Sequence, residues 1–323
     1  MPATTNHLCE IVRIIFANVR SIVDPLSEIL GLLKLESYVS GAFDAGGRWS
    51  IAIPADPGMK FYAAIHGTCT VIVDGVPDPV HIASGDCVLL PHGRAFSVTN
   101  DTSLTPVDVF TIGSSVKVGG VTTYNGGGDF LCLIGNFTLS RDYAAMLIGM
   151  LPPIVHISRE SDRALLRWCI ERMRDELRTP QPGGSLIAQQ LATTMLVHVL
   201  RLHLADGVRG GVGWLFALAD PQMAAAITAM HEDPAGRWTL QTLAERAGMS
   251  RTTFTLRFRD TVGASPIEYL TNWRMMLARE RLARSSDPIS EIAPALGYES
   301  ESAFSTAFKR VVGCSPRQYK LAC

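Results

Sequence analysis

The sequence predicts a two-domain α+β protein: an N-terminal β-barrel with a helical connector, then an all-α C-terminal domain holding two helix-turn-helix units. Three observations predict it. Short runs rich in β-branched residues, divided by glycine and proline turns, fill residues 41–118. Helical periodicity replaces them over 161–204. One residue pattern then occurs twice between 243 and 319. The domains that follow are an N-terminal extension and helix (1–40), a barrel domain (41–160), a connector (161–216) and a helix-turn-helix domain (217–323).

Composition narrows the class. A chain of 323 residues holds two domains, and 47% hydrophobic with 18% charged residues is ordinary globular composition. The seven cysteines show no C-x-x-C spacing, which argues against a zinc site or disulfide framework and fits a reduced cytoplasmic compartment. No run approaches the roughly 18 apolar residues of a membrane span. The apolar patch at 11–16 is broken by Arg13 and lacks a cleavage site, so it is not read as a signal peptide. Charge is uneven: residues 221–323 carry 13 Lys+Arg against 10 Asp+Glu, and residues 1–220 carry 16 against 20. A basic tail on an acidic front suits a nucleic-acid reader joined to another domain.

Taking the elements in order, Asp24-Pro25-x-x-Glu28 reads as a helix start with an apolar face of Leu26, Ile29, Leu30 and Leu33. Strands are expected at 49–53, 61–65, 69–73, 80–82, 87–90 and 130–134, with turns such as Pro57-Gly58, Asp74-Gly75 and Ser84-Gly85-Asp86 between them. That spacing suggests a small barrel or jelly roll. Gly126-Gly127-Gly128 is a loop; it lacks the spacing of a phosphate cradle. In the connector, Leu165, Leu166, Cys169, Ile170, Met173 and Leu177 share a helix face, and 186–204 forms a second apolar-rich helix. These stripes either pair two subunits or cover the barrel, and a homodimer is the favoured expectation.

The repeat carries most of the information. Leu243-Ala244, Gly248, Phe254, Phe258, Gly263, Pro266 and Tyr269 recur as Ile292-Ala293, Gly297, Phe304, Phe308, Gly313, Pro316 and Tyr319. The offset is 49 at the turn glycines and 50 from the phenylalanines onward, so the second turn holds one extra residue. Loops absorb such an insertion and helices do not. Helical geometry buries Phe254 and Phe258 and turns Thr252, Thr255, Leu256 and Arg259 outward; in the second copy it turns out Ser302, Ser305, Thr306 and Lys309. The second helix of such a unit enters the major groove of double-stranded DNA. Its Thr and Ser side chains reach base edges, Arg259, Lys309 and Arg310 suit phosphates, and Arg251 is a further candidate for contact with DNA. Ser265-Pro266-x-Glu268 opens a helix to about Arg284, a stiff spacer for two reading heads on adjacent major-groove segments about 34 Å apart. Pro294 breaks the pattern: an interior helical proline costs ~3 kcal/mol, so that helix starts late, at Ser290, or is kinked.

On these residues, 221–321 resembles the DNA-binding domain of the AraC/XylS family of bacterial transcription regulators, with Gly248-Met249-Ser250, Arg274, Ala278, Gly297-Tyr298 and Phe308-Lys309 among the matches. The resemblance implies base-facing residues at Thr252, Thr255, Leu256, Ser302 and Thr306. Residues 41–118 resemble the cupin-like sensor domains joined to that unit, through Gly46-Gly47-Arg48-Trp49 and Gly85-Asp86-x-Val88-Leu89-Leu90-Pro91-x-Gly93. Metal-binding cupins present His-x-His; here Tyr62 and Ala64 stand around the expected pair and Phe96 where a later His falls, so no metal or other cofactor is expected. Trp49, Tyr62, His66, His92 and Phe96 are the candidates for lining an effector pocket. No nucleophile elbow or triad order supports a hydrolase. The expected protein is a cytoplasmic, non-enzymatic transcription regulator, an activator acting with RNA polymerase, its barrel holding a small-molecule effector. The alternatives are a metal-dependent cupin enzyme with a DNA-binding head, and a regulator without a ligand.

Overall fold

A computed structural model describes residues 24–32, 36–112, 120–138, 148–158, 160–205 and 212–322. Two compact units emerge, one dominated by residues 30–221 and the other by 222–255 and 266–323. Leu33 and much of the predicted N-terminal extension lie outside the described residues.

The first helix, α1 (Pro25–Leu32), starts where the proline predicts. The Asp24 carboxylate accepts from the Leu26 N–H at 3.1 Å and the Ser27 hydroxyl at 2.6 Å, satisfying donors a helix start leaves open. Two sheets follow. One is six-stranded and runs β11 (Val155–Ile157), β6 (Cys87–Leu90), β3 (Met59–His66), β10 (Phe130–Thr138), β1 (Glu36–Ala45) and β9 (Gly120–Tyr124). The other runs β5 (Val80–Ala83), β4 (Thr68–Val73), β7 (Phe96–Thr99), β2 (Ser50–Ile53) and β8 (Val107–Asp108). All neighbours pair antiparallel except β1 with β9 and β2 with β8.

Alternation sends Tyr62, Ala64, Val88, Leu90, Phe130 and Cys132 inward, where they meet Trp49, Ile51, Val71, Phe96 and Val98 of the opposite sheet in one core. The intervening residues Met59, Phe61, Ala63, Leu89, Leu133 and Phe137 point the other way and are also buried. Helices α2 (Glu160–Arg178) and α3 (Gly184–Ala205) lie over that sheet, α3 along β1 and α2 against β3. Burial on both faces explains why β3 reads as a continuous apolar run. Gly135 is required by this packing: a Cβ there would fall within the Phe61 ring across the β10–β3 pair.

The helical cover corrects one expectation. Leu166, Cys169, Ile170 and Met173 of α2, with Ala192, Met195, Leu196, Val199 and Leu200 of α3, are buried within this chain, so the stripes assigned to subunit pairing are already occupied. Leu165 falls off the stripe and is 39% exposed, beside Trp168 at 56%. The side chain of Leu177 lies outside the described residues.

Beyond the barrel the chain forms α4 (Trp214–Ala217), α5 (Pro221–Glu232), α6 (Leu240–Arg246), α7 (Arg251–Val262), α8 (Pro266–Arg284), α9 (Ile289–Ala295), α10 (Glu301–Val312) and α11 (Pro316–Ala322). The long α8 touches α10 and α11, and Met275, Ala278 and Leu282 on it join Ile292, Leu296, Phe304 and Phe308 in a single core. No helix among the described residues is long and apolar enough to cross a membrane.

Candidate nucleic-acid interface and barrel cavity

Each reading head is a helix, a turn and a second helix, and the two turns use the same hydrogen bonds. After α6, Gly248 takes a left-handed conformation (φ 65°); its N–H donates to Glu245 C=O and the Met249 N–H to Ala244 C=O. After α9, Gly297 (φ 79°) donates to Pro294 and Tyr298 to Ala293. Both are Schellman closures, in which glycine carries the strained position. The next helix is capped by serine each time: Ser250 Oγ accepts from Thr253 N–H at 3.2 Å and Ser300 Oγ from Ala303 N–H at 3.1 Å. The extra residue of the second copy, Glu299, therefore sits between closure and cap, in the loop as expected. Two further boxes hold helix starts. Thr239 and Thr242 exchange bonds at α6, as do Ser315 and Gln318 at α11.

Pro294 proves local in effect. Helix α9 begins at Ile289 rather than Ser290, and Pro294 stands in its last turn. There its missing N–H forfeits one bond, while its carbonyl is the acceptor that the Schellman turn needs.

Four aromatic rings fix the orientation of the second helices. Phe254, Phe258, Phe304 and Phe308 are fully buried. The opposite faces are open: Arg251, Thr252, Leu256 and Arg259 of α7 are exposed with Thr255 half-buried. On α10, Ser302, Thr306, Lys309 and Arg310 are exposed with Ser305 half-buried. Thr252, Leu256, Arg259, Ser302, Thr306 and Lys309 thus lie on the outward side that helical geometry predicts, with Thr255 and Ser305 at its edge, while Arg251 is open at the helix start on the side of the phenylalanines. Arg257 is otherwise engaged, bonding Asp220 at 2.6 Å. Arg246 and Arg279 lie over the Trp238 and Tyr319 rings, and Arg284 pairs with Glu280.

The supporting role of Arg274, a residue of the matching pattern, and the whole of the His231 cluster are not evident in the sequence. Arg274 on α8 donates to Pro234 C=O at 2.6 Å and Gly236 C=O at 2.9 Å, and its guanidinium lies 5.6 Å from the Tyr298 ring centre. It joins the loop before the first head to the turn of the second. His231, buried on α5, stacks on Trp273 at 3.9 Å and bonds Glu28 through Nδ1 and Tyr269 through Nε2, each at 2.8 Å. Burial lowers its pKa below 6.5, and Glu28 only partly offsets this.

Inside the barrel is a cavity of about 160 Å³. Of the five pocket candidates only Tyr62 lines it. Trp49 and Phe96 are core: Trp49 packs against Phe43 and Phe130 at 5.5 and 5.3 Å, and Phe96 meets the Tyr62 ring edge-on at 5.5 Å. His66 is exposed and donates to Gly128 C=O, and His92 donates to Leu151 C=O. His81 bonds Thr70, so the three imidazoles do not converge; among the described residues no group of three or more His, Cys, Asp or Glu is placed to hold a metal. Cys69, Cys87, Cys132, Cys169 and Cys314 are free thiols.

Two heads with matching closures and caps, and outward faces rich in hydroxyls and cations, define a double helix-turn-helix DNA-binding protein fused to a jelly-roll domain. Residues 24–205 match the Cupin family model and residues 243–322 a helix-turn-helix domain. An AraC-like transcription regulator of Streptomyces lividans is 41% identical over 299 residues, 92% of this chain and 98% of that protein. The HTH-type transcriptional regulator AlkR of Acinetobacter baylyi is 28% identical over 310 residues, 92% of this chain and 99% of its own. Among solved structures, the DNA-binding domain of AdpA in complex with a target DNA is 35% identical, covering 32% of this chain and 92% of that one at a TM-score of 0.31. The chain belongs to the AraC-like transcription regulators with an N-terminal Cupin domain, and it is a DNA-binding transcription regulator.

Proposed function

We propose that α7 and α10 enter successive major-groove segments of one operator. Thr252, Thr255 and Leu256 read bases from the first head, and Ser302, Ser305 and Thr306 from the second. Arg251, Arg259, Lys309 and Arg310 hold phosphates. The observation that carries this is the polarity of each helix: two buried phenylalanines on one side, with Thr252, Leu256 and Arg259 of α7 and Ser302, Thr306, Lys309 and Arg310 of α10 exposed away from them, Thr255 and Ser305 half-buried at the edge, and Arg251 exposed at the start of α7. Leu256 is 60% exposed, a leucine with no core to serve but suited to a thymine methyl group. A base-pair substitution series across a selected operator tests the assignment. Leu256→Ala is expected to remove discrimination at one base pair, about 1 kcal/mol or more, and to leave the others intact. Uniform weakening at all positions would refute it.

The regulator is further proposed to work in the cytoplasm as an activator without enzymatic activity, contacting RNA polymerase, with a small molecule in the barrel shifting DNA affinity. Such a ligand acts only by binding one state better than the other. The apolar cavity inside the barrel supports this reading over a ligand-independent regulator. Self-association is assigned to the exposed Leu165 and Trp168, one turn apart on α2, in place of the buried stripes. Transcription in vitro with purified polymerase, with and without Trp168→Lys, tests both: a variant that stays as associated as the parent removes this interface.

A further inference from the structure

We infer that the barrel cavity takes a neutral, largely apolar molecule about the size of one six-membered ring, bearing at most one hydroxyl or carbonyl group that meets Tyr62. This rests on the reading of the barrel as an effector site and gives the effector a chemical class. Size comes first. A volume of about 160 Å³ matches the roughly 150 Å³ engineered apolar cavity that stays dry and binds benzene. Chemistry comes second. The wall is made by Phe43, Ile51, Ile82, Val98, Phe130 and Ile134 among others, and no Lys, Arg, His, Asp or Glu belongs to it. A carboxylate or ammonium seated there would lose its hydration with no counter-charge, at a cost of several kcal/mol. A sugar would leave several hydroxyls unpaired, each costing about 1–3 kcal/mol.

The wall is not wholly inert. Tyr62, Thr122, Cys69 and Cys132 face the space. No hydrogen bond from the described residues reaches the Tyr62 hydroxyl. Burial drives its pKa far above the ordinary phenol range, so it remains a donor. The Cys132 thiol is likewise pushed up to about 12 by burial, so the wall stays neutral around pH 7. One donor in an apolar shell selects one acceptor on the ligand. Phe43 and Phe130 of the wall also carry the Trp49 ring, whose indole N–H is buried without a partner among the described residues. A molecule pressing on those rings changes the Trp49 environment.

The test uses the full chain in calorimetric titrations with toluene, phenol, benzoate at pH 7 and glucose, with Trp49 emission followed as the difference between the parent and Trp49→Phe. Toluene and phenol are expected to bind and to perturb that difference signal, with benzoate and glucose at least tenfold weaker. Tyr62→Phe weakens phenol about fivefold and leaves toluene unchanged, the worth of one hydrogen bond. Val98→Phe, or Ile134→Phe should the first not fold, fills the space and abolishes both. Benzoate or glucose binding as tightly as phenol overturns the inference. So does a folded filled variant that binds phenol like the parent, or the absence of toluene and phenol binding. DNA affinity measured in the same samples separates the two readings. Phenol that binds through Tyr62 yet leaves DNA affinity unchanged upholds the ligand class and rejects the effector role. A charged compound that alters DNA affinity and is blocked by Val98→Phe does the reverse.

Discussion

Replacing Arg259 by alanine probes the proposed interface most directly. Arg259, Lys309 and Arg310 are exposed on the outward faces of α7 and α10, and Arg251 is exposed at the start of α7. With one phosphate neutralised by each, the slope of log affinity against log salt is about −3.6, and affinity falls about 150-fold between roughly 50 and 200 mM. Without Arg259 the slope becomes about −2.7 and the fall about 40-fold. Arg257, two residues earlier on the same helix, supplies the control: its guanidinium is held by Asp220 at 2.6 Å, so Arg257→Ala is expected to leave the slope unchanged. Fluorescence anisotropy with a labelled operator and a scrambled duplex, across a salt series, measures all of this. The change for Arg259→Ala should appear on both duplexes, because phosphate contacts carry no sequence. An unchanged slope for a folded Arg259→Ala protein, or an equal drop for Arg257→Ala, would refute the assignment.

Other consequences concern the frame beneath the heads. Arg274→Ala strands the Pro234 and Gly236 carbonyls and removes the cation from Tyr298; a loss of about 2–4 kcal/mol is expected in denaturant unfolding, and a variant within 0.5 kcal/mol of the parent, roughly the surface-substitution range, would show the contacts idle. Pro294→Ala restores one helical hydrogen bond near the end of α9, so stability should rise by at most about 1 kcal/mol with an unchanged footprint; a widened footprint would mean the proline had been weakening the second head. His231 is kept neutral by burial, its folded pKa lying below 6.5. Its contribution is therefore present above 6.5 and lost as pH falls through the folded value, at no more than about 1.4 kcal/mol per pH unit. Melting temperatures from pH 7.5 to 5 should decline more steeply for the parent than for His231→Gln, and parallel curves would exclude His231 as the titrating group.

What the sequence discloses depends on how local the cause is. Helix closures, caps and buried ring pairs are set within a few residues, so the heads could be placed from Gly248, Gly297, Phe254 and Phe308 alone. Strands flanked by glycine turns, such as Cys87–Leu90, were equally legible. β1 was not: its register shifts between Val39 and Gly41, and polar Glu36, Ser37 and Ser40 hide its start. β9, with alternate residues half-buried, carries little apolar signal. The pocket is harder still. Whether Trp49 or Tyr62 faces the cavity is decided by which strand of the opposite sheet lies across from it, a long-range matter that periodicity along one strand cannot encode. The helix stripes posed a similar problem, since an apolar face announces burial without naming the surface that buries it.

The two heads are copies in their framework and not in their reading faces. At an offset of 50, serine caps and phenylalanine anchors coincide, yet Arg251 corresponds to Glu301, Leu256 to Thr306 and Asp260 to Arg310. Glu301 at the start of α10 is favourable to the helix dipole but repels a phosphate, whereas Arg251 does the opposite on both counts. The cations accordingly flank the first helix at both ends and gather at the C-terminal end of the second. If the proposed base-facing residues do the reading, matching scaffolds with unlike charges and unlike reading groups are expected to prefer unlike half-sites, and one chain to select an asymmetric sequence. Exchanging residues 251, 252, 255, 256 and 259 for their counterparts from α10 should make the first head select the second half-site. A selected operator that remains unaltered after the exchange would mean that specificity comes from DNA shape instead of these side chains.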